Sequence, residues 1–451
     1  MEKKPQIRFL IAGVLVLGAV AALALFITTD PQNTSSDNSE AELAPPKTIN
    51  ELVANFRSAN PDTSPDLLTA FRDSLTNLEA SETGEKTAAF QDISLGNTGA
   101  AVERLEKLAR QLAEGADSSI LDASATLREA GAVAYTIDPP RAITNYTSAL
   151  SLIPSDPDLA RELGQIHLAL RDYDSAEAAF SRLLQTEGVI DRKARATALR
   201  NLGDVELKRS RYERAAAYYQ RSFAEYETAE DSRGMAEALV QLAVTQQLAG
   251  NLDQAEIFHR RALALYEETG NQAGAARSLI NLGQVEMTRT NIPLAEDYLR
   301  RGVSQNLEIG QEVIAARGLG NLGLIEKARG SLYAAEDLHQ RALALYEKND
   351  DKAGMARELG NLGNVENDRG NFAEAEAYHR RSLALDEESG RTAGIATTLS
   401  NLGGLAQVQG DVPAACDYWQ RASALFAELG SDIQYRTVLG WMSNADCGLI
   451  E

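Results

Sequence analysis

The stretch GNVENDRGNFAEAEAYHRRSLALDEESG, residues 363–390, decides the fold. Gly363 and Val365 end the packed side of one helix, and Gly370 suits a left-handed stop. Asn371 then opens a second helix with Glu374 three residues on, the signature of a capping box. Leu383 and Leu385 carry apolar character down that second helix. A hairpin of this kind cannot bury both of its faces alone, so the stretch implies a similar neighbour on each side. Two of its residues do not suit a core: Glu366 and His379. Together they could mean a metal site, a proton relay or a local hydrogen bond. The choice turns on whether the stretch is unique.

It recurs through the chain. NLG stands at 201, 281, 321, 361 and 401, with QLA in phase at 241. Ala215, Ala255, Ala295, Ala335, Ala375 and Ala415 fall 40 residues apart, and Ala176 and Ala142 precede them at 39 and 34. Sixteen residues after the central Gly or Ala of each copy come Phe180, Tyr219, His259, Leu299, His339, His379 and Trp419. A metal ligand would not be interchangeable with Leu299. Three residues after the same Gly or Ala come His167, Glu206, Gln246, Glu286, Glu326, Glu366 and Ala406. A buried carboxylate needs a partner. The spacing therefore predicts structural pairs within single hairpins, Glu366 with His379 and Glu326 with His339, and no metal. Glu256–Arg260, Glu296–Arg300 and Glu376–Arg380 read as i,i+4 ion pairs on the second helix. Arg221, Arg261, Arg301, Arg341, Arg381 and Arg421 form a column that suits a solvated outer face.

Two segments carry a family resemblance. PPRAITNYTSALSLIPSDP, 139–157, sets Ala142, Tyr146, Ala149 and Pro154 in a small–aromatic–small–Pro pattern, and LGQIHLALRDYDSAEAAFSRLL, 163–184, follows with Leu163, Gly164, Ala176 and Phe180. The chain here resembles the tetratricopeptide repeat, in the 40-residue form of kinesin light chains and cell-polarity adaptors. That resemblance implies an all-α, α-solenoid fold, a right-handed superhelix of helical hairpins whose concave face binds peptides without catalysing a reaction. It also implies that ligand contacts come from the first helix of each hairpin. Arg277, Arg317 and Arg357 stand there six residues before the central Gly, Asn281, Asn321 and Asn361 two before, and Asn364 one after. These seven are the candidate peptide-binding residues. The arginines favour carboxylates, so the expected partner is a protein or peptide with an extended acidic segment. Asparagines that only tie one repeat to the next are the structural alternative.

Composition sets the remaining expectations. Against 44 Lys and Arg stand 65 Asp and Glu, a net charge of -21, which disfavours nucleic acid. No nucleophile elbow, zinc-protease motif or nucleotide-binding glycine loop occurs, so neither an enzyme nor a cofactor is expected. Phe9 to Ile27 is an uncharged run of 19 residues preceded by Lys3, Lys4 and Arg8 and followed by Asp30, Asp37, Glu40 and Glu42. It predicts a transmembrane helix over 9–27, a lipid-bilayer contact and a single-pass topology in a bacterial inner membrane with the repeats in the periplasm. A cleaved signal peptide is the rival, because AVA and ALA occur late in the run. The expected organisation is a tip at 1–8, the anchor at 9–27, a flexible linker at 28–47 and a helical cap at 48–128. Eight repeats at 129–430 and a capping helix with its tail at 431–451 complete it. Cys416 and Cys447 match no zinc or redox spacing, and whether they pair stays open. The function expected is a membrane-anchored, protein-binding scaffold. Its alternative is a structural assembly subunit of a cell-envelope complex, acting through its outer face and ends.

Overall fold

The computed structural model describes residues 47–447 except 60–62, 82–83, 115–116 and 186–190. Regular structure among them is entirely helical. Eight hairpins succeed one another, and each pairs a first helix with a second. They are α5 (Asp117–Ala134) with α6 (Pro139–Leu152), α7 (Pro157–Ala169) with α8 (Tyr173–Gln185), α9 (Arg192–Lys208) with α10 (Tyr212–Thr228), and α11 (Ser232–Leu248) with α12 (Leu252–Glu268). Next come α13 (Gln272–Thr288) with α14 (Ile292–Glu308), α15 (Glu312–Ala328) with α16 (Leu332–Lys348), α17 (Lys352–Arg369) with α18 (Phe372–Glu388), and α19 (Thr392–Val408) with α20 (Val412–Glu428). Before them lie α1 (Ile49–Ala59), α2 (Pro65–Glu79), α3 (Gly84–Ser94) and α4 (Thr98–Ala113), and after them α21 (Asp432–Asn444). The helix Asp117–Ala134 runs across residue 129, where the sequence placed the first repeat boundary.

Helices pack chiefly on their neighbours in the chain, and first helices of successive hairpins touch as well, α7 with α9, α9 with α11, α13 with α15, α15 with α17 and α17 with α19. This is the solenoid arrangement, in which each hairpin supplies the surface its neighbour needs. Every alanine of the Ala142–Ala415 series is fully buried. The central glycines explain how the two helices of a hairpin come so close. A Cβ on Gly363 would lie 2.7 Å from the ring of His379, and Gly323 stands in the same relation to His339. Phe180, Tyr219, Leu299 and Trp419 cover Gly164, Gly203, Gly283 and Gly403 likewise. Between hairpins the device recurs, with Tyr226, Tyr266 and Tyr346 resting on Gly234, Gly274 and Gly354 of the next first helix.

The turns only partly follow the sequence. Gly370 has the left-handed backbone expected of it, at φ 81°. Asn371 stands at the N-cap without accepting a capping hydrogen bond. Its amide donates backward to Glu366 Oε2 at 2.7 Å, so the expected capping box is not made there, and Asn251 donates to Gln246 Oε1 at 2.8 Å in the same way. Asp and Asn cap several first helices instead: Asp231, Asn271 and Asp351 each accept from the backbone N–H of a glycine three residues on.

At the C-terminal end, α21 covers the last hairpin with Val438 and Met442 against Trp419 and Phe426. A disulfide joins Cys416 of α20 to Cys447 beyond α21, with Cα atoms 5.5 Å apart.

The membrane expectation is corrected. Among the described residues no helix is long and apolar enough to cross a membrane. The segment 9–27, on which the anchor was read, lies outside the described residues. An anchoring span, the inner-membrane topology and the bilayer contact therefore have no structural support.

Candidate functional site

The Glu and His columns occupy the hairpin cores, but they do not meet as the spacing suggested. His339 Nδ1 lies 2.8 Å from Glu358 Oε2 on the next first helix, both groups buried. Glu358 also receives Asn361 Nδ2 at 3.2 Å and Arg357 Nε at 3.3 Å. Room for it comes from Gly320, where a Cβ would lie 2.6 Å from the carboxylate. His379 stands over Gly363, and burial pushes the rings of both His379 and His259 down to a pKa of about 4. Neither ring nitrogen of His259 has a hydrogen-bond partner among the described residues. Their role is to fill space, as Leu299 does.

Glu326 and Glu366 belong to a different device. Arg329 and Arg369, three residues on, bind them at 2.6 Å each and reach back to Glu296 (2.6 Å) and Glu336 (2.7 Å) on the second helix of the preceding hairpin. Arg209 ties Glu206 to Glu177 and Asp174 in the same way, and Arg289 ties Glu286 to Glu256 and Asp253. The carboxylate column is thus one half of an inter-repeat latch. The arginines share the 40-residue period, a signal in the sequence that the Glu–His reading overlooked. The outer i,i+4 pairs are made as expected, Glu256–Arg260 at 2.7 Å, Glu296–Arg300 at 2.6 Å and Glu376–Arg380 at 2.7 Å.

The candidate peptide-binding residues lie on α13, α15 and α17. Arg277 is exposed beside Tyr266. Arg317 is half-buried and donates to Asn281 Oδ1 at 3.1 Å. Arg357 lies over the Tyr346 ring and donates to its hydroxyl at 2.5 Å. Arg277 and Arg357 lie close enough to Arg317 to act on it electrostatically. Burial, with these two like charges added, holds its guanidinium below the usual range. No carboxylate is bonded to it among the described residues. Asn361 is engaged by Glu358, whereas Asn321 and Asn364 are half-buried with no hydrogen bond to their amides among the described residues. The structure therefore brings the arginines and Asn281 together as one stripe and gives Asn361 a structural partner. Among the described residues no group of three or more His, Cys, Asp or Glu could hold a metal ion.

The fold and this face define a helical-repeat protein with side chains presented along a row of first helices. The tetratricopeptide repeat family matches residues 157–228, 234–305 and 314–388, and these stretches are tetratricopeptide repeats. No curated protein gives a significant match. Among solved structures, the chain is similar to a signal transduction ATPase with numerous domains that carries a tetratricopeptide repeat sensor, from Pyrococcus horikoshii. The two are 11% identical with a TM-score of 0.53, over 86% of this chain and 70% of that one. BtubC from P. vanneervenii matches at 21% identity and TM-score 0.42, over 49% of this chain and 91% of its own. Aspartyl phosphate phosphatase F from Bacillus subtilis matches at 15% and 0.45, over 78% and 96%. At these identities the likeness concerns the fold alone.

Proposed function

We propose that the protein is a scaffold that binds an extended acidic segment of a protein partner along α13, α15 and α17. The observation that supports this is the Arg277–Arg317–Arg357 stripe. It places like charges in mutual range within a chain of net charge -21, and its central member has no carboxylate bonded to it. Arg357 already has Glu358 at 3.3 Å, so the charge left without a carboxylate is that of Arg317, and a planar guanidinium suits a carboxylate in particular. Asn321 and Asn364, on α15 and α17, have amides that can both donate to and accept from an extended backbone.

A fluorescently labelled peptide of alternating Glu and Ser tests the reading by anisotropy. Wild type should bind it, less tightly as salt rises, and replacing all three arginines with Gln should weaken binding about tenfold or more with helicity unchanged. Equal affinity in the triple variant would remove the stripe from recognition.

A second reading, an assembly subunit acting through its ends, rests on Ile433 and Trp441 of α21, which are 79% and 41% exposed. Ile433→Lys would disrupt such an assembly and leave peptide binding intact.

A further inference from the structure

A second arginine register occupies the N-terminal part of the first-helix row. Arg128, Arg161 and Arg200 each precede the central glycine of their hairpin (Gly131, Gly164 and Gly203) by three residues, where the stripe described above precedes its glycines by six. All three line a single cleft of about 410 Å³. Its opposite wall comes from α2, through Thr69, Ala70 and Asp73. That helix is no part of a repeat. It packs on α5 and α7, and Ser64 at its start hydrogen-bonds Gln165 at 3.4 Å. The cleft is therefore walled by an element that does not touch the later first helices strongly, and its volume is that of a small-ligand pocket.

The ladder is held in place before any ligand arrives. Arg128 bonds Glu162 of the next first helix through both Nε and Nη2. Arg161 bonds Asp158 at 3.0 Å and lies 3.6 Å from the same Glu162. Arg200 bonds Glu237 at 2.7 Å, again one hairpin further on. Glu162 is wholly buried, while the side chains of Arg128 and Arg161 keep 37% and 22% of their exposure, so the carboxylate lies beneath and the cations face the opening. A fork-on-fork pair occupies two of the five donors on a guanidinium. Lys193 and Arg233 stand at the rim, with side chains 58% and 78% exposed. With them the lining holds five cations against four carboxylates, the latter being Asp73, Glu162, Asp231 and Glu237. Lys193 pairs with Asp231 at 3.2 Å and Arg233 with Glu237 at 3.1 Å, so with Asp158 on Arg161 the cluster is balanced in charge, in a chain whose acids outnumber its bases by 65 to 44.

We infer that this cleft binds a small oxyanion ligand, a phosphate ester or a dicarboxylate, through the Arg128–Arg161–Arg200 ladder. Planar forks fixed in advance suit a compact group with several oxygens, because little side-chain freedom remains to be lost on binding. The wall from α2 favours such a molecule over a long segment. The site is separate from the arginine stripe and does not depend on it.

Calorimetric titration of the full chain with inorganic pyrophosphate and, separately, with succinate tests the inference and distinguishes the two sources of oxyanion. At least one should bind saturably. Arg200→Gln should weaken that binding about tenfold, and Lys193→Gln at the exposed rim should weaken it about threefold while the circular dichroism stays unchanged. Arg317→Gln should leave it as in wild type. The inference is overturned if neither probe binds by about 10 mM, if Lys193→Gln folds and binds as wild type does, or if Arg317→Gln removes the binding.

Discussion

The position sixteen beyond each central small residue accepts Phe180, Tyr219, His259, Leu299, His339, His379 and Trp419, because it asks only for bulk over a backbone that has little or no side chain beneath it. Gly363→Ala should therefore cost about 1–3 kcal/mol by chemical denaturation, as the new Cβ meets the His379 ring 2.7 Å away. The histidines add a dependence on pH. Burial lowers the pKa of His259 and His379 to about 4, so the unfolded chain takes up protons first as pH falls from about 6.5. Stability should accordingly decline between about pH 6.5 and 4, by on the order of 2–3 kcal/mol for each of the two rings. His379→Leu, with Leu299 as precedent, should flatten that decline when denaturation midpoints are compared across the window. The residue columns were legible in the sequence, but the angle at which each side chain leaves its helix was not. Glu366 and His379 face different neighbours, and Glu358, which does meet His339, interrupts a column otherwise filled by Ala198, Ala238, Ser278, Gly318 and Thr398.

At the scale of elements, helix existence followed from periodicity, whereas the joints followed from chemistry between copies. Asn371 looked like a cap and serves as a donor to Glu366, because the carboxylate needs a second partner beside Arg369. The disulfide was not legible, since 31 residues of separation say nothing about distance when a helix intervenes. It closes α21 onto the last hairpin, where otherwise only one face of that helix is held. Solenoid elements depend on nearest neighbours, so its loss should act locally. Cys447→Ser should speed amide exchange in α21 by about tenfold or more and leave α9 to α17 at wild-type rates. A uniform change along the whole chain would contradict this.

For the molecule as a whole, the repeat was the strongest message in the sequence, because a fixed period survives substitution at any one site. The arginine lines along the first helices were half legible. The 40-residue count exposed Arg277, Arg317 and Arg357 but passed over Arg128 and Arg161, whose hairpins are shorter than the later ones. Latches and net charge also compete at this scale. A charge of -21 repels itself, while the Arg209, Arg289, Arg329 and Arg369 latches attract, and most of their carboxylate partners are partly exposed. Salt screens both, but self-repulsion acts at longer range and is screened more completely. The thermal midpoint should rise between about 0.01 and 0.15 M salt. A falling midpoint would mean that the latches outweigh the repulsion.

The change of arginine register from three residues to six before the glycine has a geometric meaning. Three residues shift a side chain about 4.5 Å along its helix and leave it about 60° short of a full turn. Positive charge therefore follows one line from Arg128 to Arg200 and a second, displaced line from Arg277 to Arg357, with Glu237 at the join. A stiff rod of evenly spaced anions could keep step with either line but not with both. A chain with a neutral, bendable joint could keep step throughout, so a surface that binds along both lines would sort its visitors by the rhythm of their charge as well as by its sign.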